Sequence, residues 1–189
     1  MKEHAYSGNN GCHETYRDYG ACLVKNAMSP NEIEVVRQEV DRWISEAPNG
    51  DAGVQPFFSS DGTQVVKYDG GYYAESLSRS CSAIREMLYE SALPRLACAA
   101  LGAESVTFWR DEAHYKIPRM TTNATPWHHD IAGIPFKGRD IVTIWISLAP
   151  ISECTGPLRT ISKSHLDMTR RYRPPSRSVA ADDDGSLYL

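Results

Sequence analysis

The chain has 189 residues, 41% of them apolar, with 20 Lys and Arg against 24 Asp and Glu for a formal charge of −4, which is enough for one ordinary domain with its own core. A pI near 5.9 and the lack of any long basic run argue against a nucleic-acid surface, and no apolar stretch approaches the roughly 18 residues that spanning a bilayer needs. The five cysteines, Cys12, Cys22, Cys81, Cys98 and Cys154, are odd in number, scattered and without C-x-x-C spacing, so they point to neither a disulfide framework nor a zinc site and fit a reducing compartment.

Residues 1 to about 12 are polar and Gly/Asn-rich and are expected to be loosely held. They contain no apolar core of the signal-peptide kind, and the predicted location is cytoplasmic. Tyr16 to Gly20 reads as the end of a short helix, and Ala21-Cys22-Leu23-Val24 as a short strand. Ser29-Pro30-Asn31-Glu32 is a helix start with a Ser cap, Pro in the first turn and Glu positioned to complete a capping box. Ile33, Val36, Val40, Trp43 and Ile44 follow at helical spacing, and the helix is expected to stop near Ala47-Pro48.

Pro48 through Gly62 is rich in Gly, Pro, Asp and Ser and is read as a loop, Gln64 to Tyr68 as a strand, and Asp69-Gly70-Gly71 as a turn. Tyr72 and Tyr73 after that turn either line a substrate entrance or pack at the edge of the core. From Ser82, the spacing of Ile84, Leu88, Leu93, Leu96, Ala97, Ala100 and Leu101 is helical, and Gly102 is a natural stop. Beyond Gly102 the period becomes alternating. Val106, Phe108 and Arg110, then His114, Lys116 and Pro118, follow the pattern of antiparallel strands, with His114 and Lys116 on one face. A lysine there is either an ordinary surface residue or a group that reaches an anionic ligand such as a dicarboxylate.

Thr125-Pro126-Trp127-His128-His129-Asp130 puts an imidazole and a carboxylate two residues apart, the spacing that brings strand side chains to one face, so His128 and Asp130 can point at one metal ion while His129 points away. Two His and one carboxylate form the facial set of non-haem Fe(II) oxygenases; this triplet supplies two of those ligands, and the bland alternative is a polar loop after Pro126. Ile141 to Leu148 is the clearest strand by pattern, with Thr143, Trp145 and Ser147 on one face and Ile144, Ile146 and Leu148 on the other. Arg170-Arg171-Tyr172-Arg173 is read as a solvated loop. The tail from Arg173-Pro174-Pro175 through Asp182-Asp183-Asp184 is read as a polar connection.

Taken together, Tyr115-Lys116-Ile117-Pro118, the Thr125 to Asp130 run, Ile144-Trp145-Ile146-Ser147-Leu148 and Gly156-Pro157-Leu158-Arg159-Thr160-Ile161-Ser162-Lys163-Ser164-His165, with the N-terminal Gly20 to Val24 and Ser29 to Ile33, resemble the phytanoyl-CoA dioxygenase family of Fe(II)- and 2-oxoglutarate-dependent oxygenases. The resemblance implies an α+β fold in which N-terminal helices pack on a double-stranded β-helix of the jelly-roll or cupin kind. It implies a helical part over 13–102, a partial β-helix over 103–165 with four or five strands after Gly102, and a flexible tail over 166–189. His128 and Asp130 would be iron ligands, Lys116, Thr143 and Trp145 would border 2-oxoglutarate, and Trp127, Tyr72 and Tyr73 would wall the substrate pocket.

The implied reaction is hydroxylation of a small organic substrate with O2, coupled to oxidative decarboxylation of 2-oxoglutarate. In the family a late-strand His and a cosubstrate-clamping Arg or Lys lie well beyond the Gly-Pro-Leu to Ser-His stretch, and no His follows His165, which itself is read as structural. The β-helix is therefore expected to be incomplete and the isolated chain inactive. The competing expectations are a non-catalytic fragment or pseudoenzyme serving as a binding or assembly partner, and a second chain or oligomer that completes the barrel.

Overall fold

The computed structural model describes residues 5–6, 12–47, 55–68, 70–118, 125, 127–135, 138, 140–152 and 155–166. Four helices and six strands appear among them: β1 (Ala5–Tyr6), α1 (Cys12–Tyr19), β2 (Leu23–Val24), α2 (Pro30–Ser45), β3 (Gln55–Phe58), β4 (Gln64–Tyr68), β5 (Gly71–Glu75), α3 (Ser82–Glu90), α4 (Leu93–Leu101) and β6 (Glu112–Lys116). A 3-10 turn, Leu77–Arg79, leads from β5 into α3. The arrangement is α+β, with an antiparallel sheet in the order β3-β4-β5-β6 and a separate parallel pair of β1 and β2. Within the stretch expected to be loose, Ala5 and Tyr6 pair with Leu23 and Val24. The basic cluster at Arg170–Arg173 and the tail beyond Leu166 lie outside the described residues.

Local chemistry explains where the helices begin and end. Ser29 Oγ accepts from the Glu32 amide at 3.2 Å while the Ser29 amide donates to Glu32 Oε2 at 2.7 Å, so the expected capping box closes and satisfies two donors that the first turn leaves open. Gly102 ends α4 at φ +64, a conformation that costs a residue with a Cβ.

The face of α2 carrying Val36, Val40 and Trp43 packs on Val65 of β4 and Ala74 of β5, with Leu77, Cys81 and Ile84 completing one buried cluster. Each large side chain in it contributes about 1.5–3 kcal/mol by leaving water. The register pairs Val65 with Ala74, and Tyr72 with Tyr115, so Phe57, Tyr72 and Ala113 lie on this helix side and pack against the cluster. Pro56, Val66, Tyr73, Glu75, Glu112, His114 and Lys116 occupy the opposite face by strand alternation.

Two expectations require correction. β3 forms inside the region read as a loop: Pro56 misled the reading, yet β3 is an edge strand, where a residue without an N–H is tolerated. After Gly102 only β6 joins a ladder among the described residues, not four or five strands, and Ile141–Leu148 pairs with no described strand. The alternation there is genuine, but a strand exists only when a neighbour takes its backbone groups. The sheet is instead drawn from 55–116, and Leu148 alone of the later segment packs against the core cluster.

A polar knot joins α2 to the β3–β4 connection. Asp61 accepts from Arg42, from the Thr63 amide at 2.9 Å, from Trp43 Nε1 at 3.3 Å and from Ser59 Oγ. Burial alone would raise the Asp61 carboxyl, but the bonds from Ser59, Thr63 and Arg42 outweigh it and hold the group well below the ordinary carboxylate range. A depressed folded-state pKa gives stability that is complete above the unfolded value and is lost as pH falls through the folded one. Urea denaturation should therefore show stability falling as pH drops from about 5 towards 2. Asp61→Asn should cost about 1–3 kcal/mol at pH 7 and flatten that acid limb; an unchanged limb would show that the knot does not govern it.

Candidate metal centre

β6 ends at Lys116, whose Nζ donates to Thr125 Oγ1 at 2.7 Å. That bond ties the sheet to the approach of the His-x-Asp motif. His129 is extended at φ −100, ψ 131, and Asp130 opens a 3-10 turn, Asp130–Gly133. The expected strand is thus replaced by an extended residue feeding a tight turn. The convergence survives the change: His128 Nε2 lies 3.4 Å from Asp130 Oδ1, and the two side chains are 40% and 54% exposed. His129 is the more buried imidazole of the pair.

The hydrogen bond from His128 is the main reason that the Asp130 carboxyl titrates below its ordinary value; it outweighs desolvation, and a second hydrogen bond from Thr143 acts in the same direction. Thr143, expected beside a cosubstrate, is therefore in contact with the carboxylate of the motif. An imidazole nitrogen and an ionised oxygen meeting at an accessible edge are donors suited to a borderline divalent cation such as Fe(II). A cation bound there would take the place of the proton that His128 now shares with Asp130. Among the described residues no three His, Cys, Asp or Glu side chains come together, so the pair offers two candidate ligands.

The other expected residues separate into two groups. Tyr73 shares the Lys116 face and stacks on His114 with ring centroids 4.8 Å apart, and its hydroxyl donates to Glu75. Tyr72 lies on the other face, among residues that pack against the core, with its ring 6.0 Å from that of Tyr115. Trp145 is 51% exposed, and Trp127 is half-buried next to the motif. At the far end of β6 from Lys116, a cleft of about 330 Å³ is bounded by Arg79, Arg85, Tyr89, Phe108 and Trp109. None of the expected ligands reaches it.

One residue of the site carried no signal in the sequence. Tyr16 on α1 donates its hydroxyl to the Ile141 carbonyl at 3.0 Å. Burial pushes its phenol up, and the negative charge of Asp130 pushes it further, which places α1 beside the motif. The Gly-Pro-Leu to Ser-His stretch closes on the same helix. His165 Nε2 donates to the Arg17 carbonyl at 2.8 Å and the Lys163 amide to the Tyr19 carbonyl at 3.0 Å. His165 thus caps a helix end.

A family model described as Phytanoyl-CoA dioxygenase (PhyH) matches residues 16–185. No curated protein and no solved structure matches the chain.

The docking of His165 on α1 has a direct test at Gly20, which sits at φ +83 and where a Cβ would collide with the His165 imidazole. Gly62 has nearly the same backbone, φ +86, with nothing near its Cβ position. Both alanine variants should lose about 1–2 kcal/mol from the left-handed backbone, and Gly20→Ala should lose measurably more in thermal unfolding. Equal losses would show that His165 does not occupy that space.

Proposed function

The chain belongs to the phytanoyl-CoA dioxygenase family, and from that premise we propose that it serves as an Fe(II)- and 2-oxoglutarate-dependent dioxygenase that hydroxylates a small organic substrate. The observation that carries the proposal is the meeting of His128 and Asp130 at 3.4 Å beside Thr143. The bond between Lys116 and Thr125 fastens the motif to the sheet. The iron would supply O2 activation and the oxidising power, driven by decarboxylation of the cosubstrate.

The chain's own residues do the holding and the positioning. His128 and Asp130 are the metal ligands, with Asp130 kept ionised by His128 and oriented by Thr143. Lys116 lies on the same sheet face as Tyr73 and His114; its ammonium would meet a carboxylate of 2-oxoglutarate, with Thr143 and Trp145 at its border. Trp127 and Tyr73 wall the substrate side. Tyr72 supports the sheet from the helix side and takes no part in the pocket.

A third protein ligand and the clamp on the distal carboxylate come from outside the described residues or from another chain, on a double-stranded β-helix completed beyond the sheet described above. On this reading the two ligands by themselves do not support turnover. A second reading, a binding or assembly partner, draws support from the exposed apolar side chains Phe108, Trp109, Ile144, Trp145 and Leu158, of the kind that partners cover.

Metal binding tests the assignment independently of turnover. In anaerobic titration with Fe(II), or with Mn(II) followed by electron paramagnetic resonance, His128→Ala and Asp130→Ala should each weaken binding by more than about 100-fold, beyond what loss of an outer hydrogen bond costs. Undiminished binding in both variants would remove the metal assignment. Addition of 2-oxoglutarate to the isolated chain should yield no succinate. Succinate formation that His128→Ala abolishes would instead mean that undescribed residues of this chain, or an oligomer of it, complete the site.

A further inference from the structure

Cys12 opens α1, and Cys22 immediately precedes β2. Their sulfurs lie 2.8 Å apart, although both are free thiols. Spacing along the chain gave no hint of this, because the two are ten residues apart and form no recognisable motif. The turn after α1, with Gly20 at φ +83, folds the chain back so that the residue before β2 meets the first residue of the helix. Cys12 is 2% exposed, while Cys22 is only half-buried, so Cys22 is the more accessible of the two to a small reagent.

We propose that Cys12 and Cys22 form a reversible disulfide, an oxidation site for a small two-electron oxidant such as hydrogen peroxide or a low-molecular-weight disulfide, which clamps α1 to β2. A covalent bond requires the sulfurs to approach by less than about 1 Å. With peroxide, the Cys22 thiol becomes a sulfenic acid and releases one water. The Cys12 sulfur then attacks the Cys22 sulfur and a second water leaves. Two thiol protons and two electrons reduce one peroxide to two waters. With glutathione disulfide, the same two electrons give two glutathione thiols through a mixed disulfide on Cys22.

The surroundings set the rate and the consequence. Burial and the hydrogen bond with Cys12 push the Cys22 thiol up to about 12, so little thiolate exists at neutral pH and the pair oxidises slowly. Once formed, the bond closes a short loop around α1 and restricts the unfolded chain. The helix so clamped is the one whose Tyr16 holds the Ile141 carbonyl. The inference concerns the thiols alone and stands whether or not the metal reading does.

The test uses the full chain incubated with glutathione disulfide, then denatured, alkylated and digested. Accessible and buried thiols counted together should fall from five to three, with one linked peptide pair containing Cys12 and Cys22. The oxidised form should show a Tm higher by on the order of 5 °C and slower amide exchange over α1, both reversed by dithiothreitol. Cys22→Ser should keep its remaining thiols under the same treatment, and Cys22→Ala serves if the serine variant fails to fold. Linkage through Cys81, Cys98 or Cys154 would overturn the proposal. So would a lasting glutathione adduct on Cys22, or five thiols surviving conditions that oxidise the urea-unfolded chain.

Discussion

The bond from Tyr16 to the Ile141 carbonyl spans 125 residues, and the arrangement of the candidate site depends on it and on the helix that carries it. α1 has only eight residues, too few to be stable in water on its own, so its position is set by what grips it. His13 donates to the Ala100 carbonyl at 3.0 Å and fixes α1 to α4. Tyr16 fixes it to the segment that brings Thr143 to Asp130. Lys163 and His165 take the carbonyls that its last turn leaves open. One short helix therefore connects the helical layer, the His128-His129-Asp130 motif and the last described loop.

The parts of this fold that could be read from sequence are those decided within one turn of chain. Ser29, Pro30 and Glu32 announce α2 because the capping box is closed by residues three apart, and Gly102 ends α4 because its own φ is left-handed. Ile141–Leu148 was misread for the opposite reason. Alternation records which side chains want burial, but a strand forms only where another segment takes its backbone groups, and no described strand does so here. β3 was hidden because Pro56 reads as a breaker, and only the topology shows that it stands on an edge.

The site divides along the same line. His128 and Asp130 were legible because two residues of extended chain suffice to bring them together, whether the next residue continues a strand or turns, as it does here. The face that Lys116 shares with His114 was legible through alternation along β6. Tyr16 was not, since nothing in an eight-residue amphipathic helix distinguishes a tyrosine that reaches a distant carbonyl from one at the surface. Tyr72 and Tyr73 are neighbours in sequence, and alternation necessarily sends them to opposite faces; which one faces Lys116 was decided by the pairing of Tyr73 with His114.

The two faces of the sheet carry different chemistry. The helix side is filled by Val65, Ala74 and Trp43. The other side holds a charged row in which Arg110 pairs with Glu112 and, at 3.5 Å, with Glu75, and it continues through His114 to Lys116. A face so polar is suited to contact water or a charged ligand, whereas exposed aliphatic side chains such as Ile144 and Leu158 are suited to contact neither. On the proposed reading, the segment that covers those apolar residues is also the one that brings the third metal ligand. Two ligands hold a cation weakly, and a segment with uncovered apolar side chains holds its own geometry weakly. Each would strengthen the other, because metal that binds only the closed form stabilises closure by the same free energy that closure adds to binding. Metal affinity and association of the completing segment are then two readings of one equilibrium, with Asp130 and Thr143 at the junction between them.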